Sequence, residues 1–204
     1  VLFTQTIIAV LLGVAIAISS IAYFRANKNY YVSYNEEYAI DYKVYLKPNN
    51  NFENDYVGKD QSYIASIIDY VDVDFDYDID LDSKWAEYKY NYKIDAEVTI
   101  KDNTNKKNIF FYAMPLKEKA DVQYGSNKLS VSDNVIIYYD DFNDFANEFK
   151  EIYGLSDVSC FVDVVLTVDV DGACEEIKNA NFGSRRLSLN IPLTQKTIAI
   201  NMVS

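Results

Sequence analysis

Val71-Asp72-Val73-Asp74-Phe75-Asp76-Tyr77-Asp78-Ile79-Asp80-Leu81-Asp82 decides the fold. Every odd position is apolar or aromatic and every even one is aspartate. Side chains alternate across a strand, so this run is a strand with one face in a core and the other in water. The pattern returns at once in Ala86, Tyr88, Tyr90, Tyr92, Ile94, Ala96, Val98 and Ile100, with Lys89, Lys93 and Lys101 on the opposite parity. The two runs read as a hairpin turning near Ser83-Lys84. A register that sets Asp80 opposite Lys89 and Asp76 opposite Lys93 brings both apolar faces to the same side.

The same period continues outward. From Tyr34 the even positions Tyr38, Ile40, Tyr42, Val44 and Leu46 oppose Glu37, Asp41, Lys43 and Lys47, and Lys47-Pro48-Asn49-Asn50-Asn51 makes a turn. Residues 61–70 are ambiguous: Ile64, Ile67, Ile68 and Val71 have the spacing of a helical stripe, while their β-branched content and the strand that follows favour an extended or bulged entry. A polar loop at 102–108 precedes strands near 109–116 and 134–139. Asp140 or Asp141 then caps a helix with a core stripe of Phe142, Phe145, Phe149 and Ile152, which Gly154 ends. Residues 158–170 form another long strand, Asp171-Gly172 a turn, 179–184 a loop, and strands at 187–191 and 197–202 close the chain. About seven antiparallel strands and one short crossover helix describe a mainly β protein, an antiparallel β-sandwich.

Upstream the character changes. Residues 1–24 hold no charged side chain, and Arg25 and Lys28 follow. About 20 apolar residues at ~1.5 Å each cross a ~30 Å hydrocarbon core. Residues 1–24 therefore read as a single N-terminal transmembrane helix in membrane lipid, 25–33 as a juxtamembrane linker, and 34–204 as an extracytoplasmic β-sandwich domain. Ala9, Gly13 and Ala17 fall at the four-residue spacing that lets two membrane helices pack closely as a homodimer. Such residues are also simply common in membrane helices. Ser20-Ile21-Ala22 resembles a signal-peptidase site, but the apolar run is long for a leader, which favours a retained anchor. Arg25 and Lys28 draw their own end toward the cytoplasm, so charge alone leaves the orientation open.

All 31 acidic and 19 basic residues lie beyond the anchor, so the net charge of −12 belongs to the domain. A surface this acidic repels nucleic acid and anionic head groups. The chain has no histidine, which removes the commonest general base and metal ligand. Cys160 sits early in the 158–170 strand and Cys174 just past its end, tens of ångströms apart at ~3.3 Å per residue, and they read as free thiols.

Asp72, Asp74, Asp76, Asp78, Asp80 and Asp82 are the candidates for a divalent cation. Same-face neighbours along one strand stand ~6.6–7 Å apart, too far to share a first shell at ~2.4 Å. The face reads instead as solvated charge that discourages edge-to-edge pairing. Thr167 and Lys178 break any EF-hand pattern around Asp169-Val170-Asp171-Gly172. Of the 19 tyrosines, Tyr38, Tyr42, Tyr88, Tyr90 and Tyr92 share the core parity, which favours core over a sugar-stacking platform. Trp85, at the expected hairpin tip, is the aromatic placed to touch a partner. Ser83-Lys84 lacks the burial that activates a catalytic lysine. With no cofactor motif, these features describe binding rather than catalysis: a structural or protein-interaction module at the cell envelope. A carbohydrate- or calcium-dependent adhesion module is the alternative.

The order of motifs resembles a prokaryotic domain-of-unknown-function family, number 5305. The likeness lies in Lys47-Pro48-Asn49-Asn50-Asn51-Phe52, in Tyr63-Ile64-Ala65-Ser66-Ile67-Ile68 running into the aspartate strand, in Val135-Ile136-Ile137-Tyr138-Tyr139-Asp140-Asp141-Phe142 before the helix, and in Ile191-Pro192-Leu193. It covers about residues 34–202. The resemblance implies an extracytoplasmic domain of a membrane protein, with a second membrane helix beyond Ser204, and supplies no catalytic residues.

Overall fold

The computed structural model describes residues 12–23, 31–48 and 55–203 of a chain that divides into two units, 1–32 and 33–204. In the first unit α1, residues 12–23, is helical with exposed side chains, and it carries Gly13 and Ala17. Ala9, the 49–51 turn and much of the 1–24 segment lie outside the described residues. No helix among the described residues is long and apolar enough to cross a membrane.

The second unit is mainly β. In chain order it comprises β1 (Tyr34–Leu46), β2 (Tyr56–Val57), β3 (Ser62–Ile64), β4 (Ile68–Leu81), β5 (Ala86–Asp102), β6 (Asn108–Tyr124) and β7 (Lys128–Tyr138). Then follow α2 (Tyr139–Ile152), β8 (Val158–Cys174), β9 (Ala180–Leu193), β10 (Thr197–Ala199) and β11 (Asn201–Val203). One sheet has the order β2-β1-β4-β7, a second the order β11-β9-β8-β5-β6, and β3 pairs with β10. All described pairings are antiparallel.

Alternation does what it should in β4: Val71, Val73, Phe75, Tyr77, Ile79 and Leu81 are buried. Ile40, Tyr42 and Val44 of β1 and Leu129, Val131, Val135 and Ile137 of β7 extend that face. The second sheet answers with Tyr88, Ile94 and Ile100 of β5, Val162, Val164 and Leu166 of β8, and Leu189 and Ile191 of β9. The faces meet. Tyr92 of β5 donates to Asp133 of β7 at 2.6 Å, and Arg185 of β9 pairs with Glu36 of β1 at 2.9 Å. α2 is the crossover from the first sheet to the second.

The expected hairpin of the two alternating runs does not form. β4 pairs with β1 and β7, whereas β5 pairs with β6 and β8 in the other sheet. Asp80 faces Asn35 and Lys128, and Asp76 faces Ala39 and Ser132, so neither meets Lys89 or Lys93. An alternating strand specifies which face is buried, and two such faces are satisfied equally well side by side or across a core. Asp171-Gly172 is not a turn but part of β8, and most of the 179–184 loop belongs to β9. Gly172 is there for space: a Cβ at this position would stand 2.7 Å from the Phe182 ring.

The α2 expectations also shift. Neither Asp140 nor Asp141 caps it: Tyr138 is the residue before the helix and its side chain makes no cap bond. Both acids lie in the first turn, where the helix dipole favours them. Asp140 is held by Lys47 at 2.7 Å. The buried residues of α2 are Tyr139 and Ala146, while Phe145 and Ile152 of the expected core stripe are exposed. Gly154, at φ +62°, ends the helix as the sequence indicates.

Candidate functional site

The aspartate face stands outward on the first sheet, half-exposed to exposed along β4. Its carboxylates are tied pairwise to neighbours rather than to one centre. Asn134 donates to Asp72 at 2.5 Å and to Asp74 at 2.9 Å, and Lys128 reaches Asp78 at 3.0 Å. Among the described residues no group of three or more acids or cysteines is placed to hold a metal ion.

The same outward face carries a feature that alternation concealed. Tyr56, Tyr45, Tyr70 and Tyr138 are direct register partners across β2, β1, β4 and β7. Ring centroids lie 5.6, 4.5 and 6.0 Å apart in that order, and Tyr45 and Tyr70 are stacked within 13° of parallel. Lys43 sits 5.8 Å from the Tyr56 centroid. A sugar ring needs a free aromatic face, and the central rings spend theirs on each other. The ladder therefore ties four strands together. Of the five tyrosines of core parity, Tyr42, Tyr88, Tyr90 and Tyr92 are buried and Tyr38 is exposed.

Where the ladder ends at Tyr138, the surface turns into a concavity. A cavity of about 430 Å³ lies between β6, β7 and the start of α2. Tyr112, Met114 and Leu116 of β6 form one wall and Ile136 and Tyr138 of β7 the other, with Val98 of β5, Phe142 and Phe145 completing the lining. Asp141 is the single charged residue in that lining. Phe110 extends the apolar surface, with its ring 5.6 Å from Phe145 and 5.0 Å from Phe149. Ile109, Phe111, Tyr112, Ile136 and Tyr138 are each about half exposed, between 45% and 55%. A concave, predominantly apolar site of this size is how proteins receive small ligands or a few side chains of a partner.

Sequence chemistry explains why the groove opens. β6 and β7 are consecutive strands placed in different sheets. Near their connection they are clasped, Lys117 to Asp133 at 2.5 Å. Asp133 points inward, on the parity of Val131 and Val135, and takes the Tyr92 hydroxyl as its second partner. Burial pushes its carboxyl up, but the hydrogen bonds from Lys117 and Tyr92 outweigh that and hold it below the usual range. The Tyr92 hydroxyl is pushed up to about 12 by burial and by that carboxylate. Beyond the clasp lie the apolar residues that line the groove.

Trp85 is 44% exposed in the connection between β4 and β5, a crossing between sheets rather than a hairpin tip. Cys160 and Cys174 are free and buried, and burial raises the Cys160 thiol. Sequence reasoning missed the groove, although a signal was present: Phe110-Phe111-Tyr112-Ala113-Met114 and Val135-Ile136-Ile137-Tyr138 abandon alternation. A strand that is apolar on both parities has something to cover on both faces.

No family model matches the chain, so the likeness to family 5305 rests on its quoted motifs. No curated protein matches it either. Among solved structures, a structural-genomics target called SoR45 aligns over 76% of this chain and 84% of its own at 10% identity, with a TM-score of 0.27. A Bordetella pertussis protein given the name ApaA aligns over 81% and 94% at 7% identity, with a TM-score of 0.25. Likeness at that level carries no argument about fold or function.

Proposed function

We propose that this chain is a membrane-tethered interaction module that works by binding, with the β6–β7–α2 groove as its binding site. Residues 1–24 would sit in lipid and the acidic β unit outside the cytoplasm, an arrangement supported by the uncharged opening segment and by the likeness to family 5305. The observation that carries the binding site is the apolar cavity itself: half-exposed aromatic and aliphatic residues line a concavity on an otherwise strongly charged molecule. Exposed apolar patches of this kind mark interaction sites. The carbohydrate alternative draws less support, because the central ladder rings Tyr45 and Tyr70 are stacked on each other.

A photoreactive side chain at Ile136, compared with one at Asp76 on the charged face, tests this in intact cells. A discrete adduct from position 136 and none from 76 is the expected result. Equal adducts at both positions, or none at 136, would remove the groove as the site. Shaving intact cells with protease tests the placement, which requires the acidic unit to be cut.

A further inference from the structure

The groove's walls also indicate the shape of what fills it. Among the described residues β6 hydrogen-bonds only to β5 and β7 only to β4, so both are edge strands of these sheets. An edge presents unpaired amides and carbonyls, and proteins blunt such edges with proline, bulges and charge, inward-pointing charge included. Here the blunting leaves one stretch of β6 open between two irregularities, at Leu116 and at Ile109. Toward the 125–127 connection, β6 carries Pro115, a register irregularity at Leu116, and Lys117-Glu118-Lys119, while β7 carries the inward Asp133. Beyond that level, residues 110–114 of β6 and 135–138 of β7 hold no charge, proline or irregularity. These two unprotected stretches border the same groove.

Charge narrows the occupant. Asp141 stands in the lining, and Asp144 and Glu148 follow it at three- and four-residue spacing along one side of α2, all exposed. Among the described residues none of the three is held in an ion pair or side-chain hydrogen bond. A second copy of this chain would bring a further −12 to that acidic row.

We propose that an extended strand of another protein adds along the free edge of β6 over residues 110–114, its alternate apolar side chains in the groove and a lysine or arginine against Asp141. The inference rests on the groove being the binding site and goes beyond it by naming the occupant. Main-chain hydrogen bonds to the edge would give affinity, and the cavity and acidic row would choose the sequence.

The test uses the full chain, isotope-labelled in lipid nanodiscs, and a short synthetic peptide alternating valine with threonine between terminal lysines. The peptide should shift the Met114 and Ile136 methyl signals and slow amide exchange across residues 110–114 by about tenfold or more. Ile136→Glu should abolish both responses with the rest of the spectrum in place. Asp141→Lys, on an exposed residue, should weaken the lysine-flanked peptide about tenfold and favour a glutamate-flanked one. Methyl shifts without amide slowing would overturn strand addition while leaving the groove as the site. Neither response would overturn both. Self-association of the free chain through β6 would replace the foreign strand with a second copy and overturn the proposed partner.

Discussion

On the outward face of the four-stranded sheet, Asp72, Asp74, Asp76, Asp78 and Asp80 stand in or near solvent. On the outward face of the five-stranded sheet, Asp95 and Glu97 are only 6% and 9% exposed. Each of these has its own cation, Lys93 at 2.8 Å from Asp95 and Arg186 at 2.5 Å from Glu97, while Asn190 donates to Asp163 at 2.7 Å. The residue types match and the physics differs. Water screens the first set, so individual contacts there contribute little. The second set has lost its water and depends on its partners. Titration follows the same division. Burial raises Asp78, but Ser130 and Lys128 outweigh it and hold the carboxyl below its ordinary value. Burial pushes Asp163 above it, only partly offset by Asn190, with nearby Glu97 pushing the same way.

Substitutions sharpen the contrast. Both sheets share one core, so Phe75→Ala should cost about 3–5 kcal/mol in denaturant unfolding, the largest effect expected here. Arg186→Ala would strand Glu97 and should cost about 1–3 kcal/mol, while a double change of Arg186→Met with Glu97→Leu should recover most of it. Asp76→Ala on the solvated face should stay within about 0.5 kcal/mol. If the Asp76 variant matched the Arg186 variant, the distinction between the faces would fail.

pH should separate the two sheets in sign. A carboxyl lowered by folding stabilises above its unfolded value and loses that contribution as pH falls through its folded one. Asp133→Asn should therefore be destabilising at neutral pH and nearly neutral in acid. Asp163 is raised, so its ionisation costs stability as pH climbs past the ordinary carboxylate range. Asp163→Asn should gain on the native chain as pH rises from acid to neutral. Melting curves across that range check both, and a shared sign would contradict the account. Smallest of all, millimolar calcium should leave the melting temperature flat, because no carboxylate set converges among the described residues.

How much was legible in the sequence follows from the same physics. Alternation in β4 and β5 reports burial face by face: the apolar sets are buried as read, but β5 also buries Asp95, Glu97 and Thr99 on the face expected in water. It does not report partners, which is why the hairpin expected between them is a crossing between sheets. The 179–184 segment looked like a loop because Asn179, Asn181 and Gly183 favour turns, yet β8 gives most of it a partner to pair with. The groove left its trace as lost alternation in β6 and β7, a signal that marks covered strands and edge sites alike. The tyrosine ladder was hidden because Tyr45, Tyr70 and Tyr138 align only once register is known.

Hydrogen exchange on the full chain, compared between its native membrane and the purified state, is the most direct measurement. Slower exchange confined to β6 beyond the Lys117–Asp133 clasp, to the end of β7 and to the start of α2, with β1 and β4 unchanged, is the predicted result. Protection that falls instead on the β1–β4 aspartate face, or nowhere, would contradict it.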